Sequence, residues 1–177
     1  MKKILVCFMA LVLVLSNAAL ALDLGDMEDM FGGITSMFGP DTADAYGPQE
    51  VVEIGDISIE LKDVLRSGKN AYYTPESGNE FLIIQFSIEN NGAEDLTLSS
   101  MMSFSTWCDD ELCMISLEAL GTAMLSGLPQ LDTVVESGAS FTGVIGYEVS
   151  KDWDTVIVQY TDGIVLGNTV TFVVNND

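Results

Sequence analysis

The chain has 177 residues, of which 48% are hydrophobic, and carries 27 acids against six bases with no histidine. A formal charge of −21 repels phosphate backbones and anionic lipid head groups, which makes nucleic acid and membrane surfaces poor partners. Without histidine there is no Ser-His-Asp or Cys-His catalysis and none of the usual zinc ligand sets.

Residues 1–21 follow the layout of an export signal. Lys2 and Lys3 begin it, Ile4 to Leu15 form the apolar stretch, and Ala19-Leu20-Ala21 supplies the small-x-small exit. The stretch falls short of the roughly 20 apolar residues a membrane span needs. Cys7 lies inside it and not at its end, which argues against a lipid anchor. No second run of spanning length follows, so the expectation is a secreted, extracellular or periplasmic protein with one domain, monomeric because like charges keep copies apart.

Residues 22–49 hold five glycines, two prolines and no base, and read as a flexible acidic leader. Leu24, Met27, Phe31, Ile34 and Phe38 recur at helical spacing, which would allow a short docking helix. Gly25, Gly32 and Gly33 weigh against it, each costing about 1 kcal/mol relative to alanine.

Residues 50–177 change to period two, the mark of strands with one buried face. The inner sets are Ile57, Ile59 and Leu61; Leu82, Ile84, Phe86 and Ile88; and Leu96, Leu98, Met102 and Phe104. A short strand "CMISL" follows. Then come Phe141, Ile145, Tyr147 and Val149; Val156, Val158 and Tyr160; and Val170, Phe172 and Val174. "LEALGTAMLSGLPQL" lacks alternation and is a short helix or an ordered loop. About seven short strands with turn signals between them predict an all-β, antiparallel, immunoglobulin-like β-sandwich.

"YTPESGNEFLIIQFSIENNGAEDLTLSS", followed by "VVESGASFTGVIGYEVSKDWDTVIVQY", resembles the extracellular immunoglobulin-like family known as domain of unknown function 4352. That family is related to secreted bacterial immunoprotective-antigen sandwiches. The shared features are a strand ending in Glu-Asn-Asn-Gly and a later Ser-Gly-x-x-x-x-Gly strand, with Ser137 standing where the family commonly has proline. The resemblance implies a secreted or cell-surface sandwich and supplies no functional residues.

No G-x-S-x-G elbow or phosphate loop is present, and no spacing singles out a carboxylate pair, so the chain reads as non-catalytic. The leading expectation is a module that binds a protein or glycan through exposed aromatics, with Tyr72, Tyr73, Trp107 and Trp153 as candidates. The alternative is calcium held by acidic loops, with Asp109, Asp110, Glu111, Asp152 and Asp154 as candidate ligands, although none has EF-hand spacing. Thioether binding of copper by the scattered methionines is a weaker reading. No cofactor is otherwise expected.

Cys108 and Cys113 flank the turn "DDEL". Redox pairs favour Cys-x-x-Cys at a helix start, and a metal would need two further soft ligands. A disulfide across a four-residue hairpin loop, Asp109 to Leu112, is the expectation, worth about 2 kcal/mol for so short a loop.

Overall fold

The computed structural model describes residues 40, 42–162 and 167–176. The expected export signal and the helical-spacing residues Leu24 to Phe38 lie outside the described residues.

In chain order the elements are β1 (Val51–Ile54), β2 (Ile57–Ser67), β3 (Asn79–Asn90), β4 (Leu96–Leu98), β5 (Phe104–Cys108) and β6 (Glu111–Leu112). Then follow α1 (Leu117–Leu125), β7 (Thr133–Val135), β8 (Ser140–Ser150), β9 (Thr155–Thr161) and β10 (Thr169–Asn175). One sheet has the order β1-β2-β3-β8 and the other β10-β9-β5-β6, with β4 and β7 paired separately. All strand pairs are antiparallel, which gives the expected β-sandwich.

Period two builds the core. Leu82, Ile84, Phe86 and Ile88 of β3 and Ile145, Tyr147 and Val149 of β8 bury against Val156, Val158 and Tyr160 of β9 and Val170, Phe172 and Val174 of β10. Phe86 joins the two sheets, with its ring centroid 5.1 Å from Phe104 and 5.6 Å from Phe172. Each such fully buried ring contributes about 2 kcal/mol relative to exposure. Before β1, Tyr46 already runs beside β10: its N–H donates to Thr171 O at 2.9 Å and its carbonyl accepts from Val173 N at 2.9 Å.

The run without alternation is a helix. Ser116 caps it by accepting from Ala119 N at 3.2 Å, and Glu118 sits in its first turn, where the helix dipole favours an acid. Leu120 and Ala123 pack against Ile83 and Val144 on the outer side of the first sheet. Gly146 makes the approach possible, because a Cβ there would stand 3.0 Å from both Ala119 Cβ and Leu120 N.

Two segments differ from expectation. Residues 96–107 are not one strand. They turn between β4 and β5, where Ser103 N donates to Ser99 O at 2.8 Å and Asp132 accepts from Ser100 N at 2.9 Å and its hydroxyl at 2.6 Å. Met102 is therefore exposed and not part of the core. "CMISL" is not a strand either, since only Ile115 bridges, to Tyr147, before Ser116 starts the helix. A strand missing from the expectation, β1, pairs with β2 through a two-residue turn in which Gly55 takes φ of 60°.

Candidate functional site

The acidic hairpin organises the region around the cysteines. Trp107 pairs with Leu112, Cys108 with Glu111, and Cys113 N donates to Thr106 O at 2.7 Å. The turn is thus two residues, Asp109-Asp110, with φ of 50° and 68°, as a type I′ hairpin requires. Aspartate tolerates this left-handed backbone better than most residues. Asp109 also ties the hairpin to β9, because its carboxylate accepts from Asp154 N at 3.0 Å and Thr155 N at 2.8 Å.

The expectation that Cys108 faces Cys113 across a four-residue loop is corrected by this register. The two are diagonal neighbours on one face of the hairpin, and both are free thiols, with Cys113 Sγ donating to Glu111 O at 3.8 Å. Burial pushes the Cys108 thiol up to about 11, and the charge of Asp109 adds to the shift. Burial, followed by neighbouring Cys108, pushes Cys113 up to about 12. Both sulfurs therefore stay protonated at neutral pH, which makes them poor nucleophiles at rest.

The candidate aromatics do not converge. Trp153 is 2% exposed in the core, where its Nε1 donates to Glu80 Oε1 at 3.1 Å and the Arg66 guanidinium stands 5.6 Å from its ring centroid. Trp107 is also buried. Tyr73 packs over the helix, so close that a Cβ on Gly121 would fall 2.6 Å from its Cζ. Asn70 holds that loop in place, accepting from the amides of Tyr72 and Tyr73 at 2.9 Å each and donating to Thr122 Oγ1 at 2.8 Å. Tyr72 alone of the four is largely exposed.

The candidate acidic ligands are divided too. Asp109, Asp110 and Asp154 line one shallow cleft with Thr155 and Ile157, and Glu111 lines another that it shares with Asp109 alone of these. Asp152 lies exposed in the turn between β8 and β9. Among the described residues, no group of three or more Cys, Asp or Glu side chains is arranged to hold a metal.

What the structure does gather is methionine. A cleft of about 250 Å³ beside the hairpin is lined by Met101, Leu112, Met114 and Leu117 together with Phe104, Thr106, Cys113, Ile115 and Tyr147. Met101, Met114 and Leu117 are 75%, 64% and 77% exposed, and Leu112 reaches 37%. Thr106 and Tyr147 are locked together behind it by a buried hydroxyl bond of 2.8 Å. Burial pushes the Tyr147 phenol upward, so this bond stays neutral. Cys113 and Met114 also line a second, more polar cleft with Cys108, Asp109, Glu111 and Glu148. The sequence signal for this site was Met101 and the Cys113-Met114 pair, which the sequence alone places within two expected strands, "LTLSSMMSFSTW" and "CMISL".

No curated protein sequence matches the chain. Among solved structures, the yjhA protein of Bacillus subtilis is 18% identical, with a TM-score of 0.58 over 75% of this chain and 99% of that one. The ycdA protein of the same species, provisionally described as a lipoprotein, is 16% identical with a TM-score of 0.58. The match covers 73% of this chain but spans only 39% of that protein's length. A protein from Listeria monocytogenes is 11% identical with a TM-score of 0.50 over 75% of this chain and 83% of its own. These likenesses concern the fold. The family model of DUF4352, a domain of unknown function, matches residues 46–171, and the chain belongs to that family.

Proposed function

We propose that the chain is an exported, non-catalytic module that captures an apolar, cationic polypeptide segment in the methionine-lined cleft. The observation that carries this reading is the exposure of Met101, Met114 and Leu117 around one cleft, whose wall residue Leu112 belongs to the hairpin that carries Asp109, Asp110 and Glu111 at its turn. Thioether side chains are flexible and polarizable and adapt to varied apolar groups. The acids of that turn and the chain's net charge of −21 favour a partner whose apolar residues sit between lysines or arginines, and they speed its approach at low salt. Export is supported by the layout of residues 1–21.

Methyl-labelled methionine spectra test the reading. The probes are short peptides with leucine or phenylalanine between lysines, beside controls with glutamate in place of lysine. Shifts at Met101 and Met114 with the cationic set alone, abolished by Met114→Glu, are expected. No shift, or equal shifts with both sets, overturns it. A melting temperature raised by millimolar calcium would instead favour the acidic-loop alternative.

A further inference from the structure

The two thiols have no part in that reading. Cys108 and Cys113 lie on the same face of a hairpin, half-buried and diagonal to each other across its register. Diagonal positions stand about 7–8 Å apart along the backbone, beyond the roughly 7 Å that a disulfide spans without backbone movement. Closing the bond therefore requires the second arm to slide, and that arm is able to: β6 has two residues, both exposed, at the edge of its sheet. Cys113 lines the methionine cleft and Cys108 does not, so the slide moves a wall of the cleft.

We propose that Cys108 and Cys113 form a reversible dithiol–disulfide pair, and that oxidation draws Cys113 away from the methionine-lined cleft. The oxidant is a disulfide, carried by an exported thiol oxidoreductase or a small molecule. One cysteine thiolate attacks an oxidant sulfur, forming a mixed disulfide and releasing the oxidant's other sulfur as a thiol. The second thiolate attacks the first cysteine's sulfur, closing the Cys108–Cys113 bond and releasing the remaining oxidant thiol. The two protons end on the oxidant, which is reduced as the pair is oxidised. Because both thiols stay protonated at neutral pH, the reaction is slow there and accelerates about tenfold per pH unit up to the pKa of the first thiol to attack. The thiol chemistry stands without the peptide reading, and only its consequence for the cleft touches it.

The test equilibrates the signal-free chain in oxidised and reduced glutathione at graded ratios, then alkylates it and weighs it intact. The expected result is a monomer lighter by two hydrogens that takes up no alkylating agent and is restored by dithiothreitol. Cys108→Ser and Cys113→Ser should each stop at a glutathione adduct. Fluorescence of an apolar dye bound at the cleft should differ between the two forms in the wild type and not in the Cys108→Ser, Cys113→Ser double variant, which has no thiol beside the cleft to oxidise. Two alkylatable thiols at every ratio, or disulfides formed only between molecules, would overturn the pairing. Identical dye binding in both forms would overturn its effect on the cleft.

Discussion

Replacing Arg66 with alanine separates a structural from a recognition role for Trp153. Arg66 Nε lies 2.5 Å from Glu80 Oε1, its Nη1 donates to Asn176 Oδ1 at 2.6 Å and its Nη2 to Lys151 O at 3.0 Å. Trp153 shares Glu80 Oε1 from the buried side. The arginine thus joins β2, β3, the turn after β8 and the C-terminal end of the chain. Breaking a fully buried pair costs about 3–5 kcal/mol, and an exposed one is worth at most about 1 kcal/mol. The Glu80 side chain is 10% exposed and that of Arg66 41%, so Arg66→Ala falls between, at about 2 kcal/mol. For a domain of this size that is a loss of about 8 °C in melting temperature. Urea unfolding followed by the combined fluorescence of Trp107 and Trp153, both buried, should show a lower midpoint at unchanged slope. Adding Glu80→Gln should recover part of the loss, because the neutral amide still accepts from Trp153 and leaves no unpaired buried charge. If Arg66→Ala stays within about 0.5 kcal/mol of wild type, or the second change adds its full cost, the cluster is not a structural lock.

The hairpin turn gives opposite signs at adjacent aspartates. Asp110→Gly should stabilise by about 0.5–1 kcal/mol, since glycine accepts φ of 68° freely. Asp109→Ala should cost about 2 kcal/mol in the same urea assay, because it strains φ of 50° and strips the amides of Asp154 and Thr155. Gly146→Val should cost about 2 kcal/mol or more and loosen α1, seen as faster hydrogen exchange at Leu120 and Ala123, because the helix backbone occupies that space. Tyr160 predicts an alkaline transition: burial, with the charge of Asp162 adding, pushes its phenol up to about 12. The folded state then holds the proton after the unfolded chain has lost it near pH 10. Its contribution is complete below pH about 10 and disappears as pH rises to about 12. Tyr160→Phe in a Cys108→Ser, Cys113→Ser background, where no thiol titrates, should flatten that fall.

The sandwich was legible because one buried face per strand writes itself as period two. Leu82 to Ile88 and Val156 to Tyr160 sit on the faces their alternation assigns. The site was not legible, since what decides it acts over long sequence separations. Asp132 caps the turn at Ser100 from 32 residues away, and this breaks the strand that would have buried Met102. Trp153 reaches Glu80 across 73 residues, so nothing near it in sequence marks it as interior. The hairpin misled for a local reason. Six residues from Cys108 to Cys113 suit a four-residue loop with the cysteines opposite, while two aspartates at positive φ shorten the loop and shift the register to a diagonal. The helix lay between these cases. Ser116 and Glu118 are a readable start, but nine residues are too few to hold a helix without the sheet beneath them.

Acidity and the methionine cleft constrain one another. An apolar cleft with three side chains more than 60% exposed invites association between copies, the usual hazard of such a patch. A chain with 27 acids against six bases opposes it, because two copies of like net charge repel each other. On the proposed reading, the same field that opposes a like-charged copy would favour a cationic occupant, so a single charge pattern would reject one partner while admitting another. Methionine suits that arrangement better than leucine or phenylalanine. Its adaptable side chain can follow varied apolar shapes, leaving charge to set which segments approach. On the proposed reading, discrimination then rests on the chain's net negative charge, and the cleft itself need only be apolar and yielding.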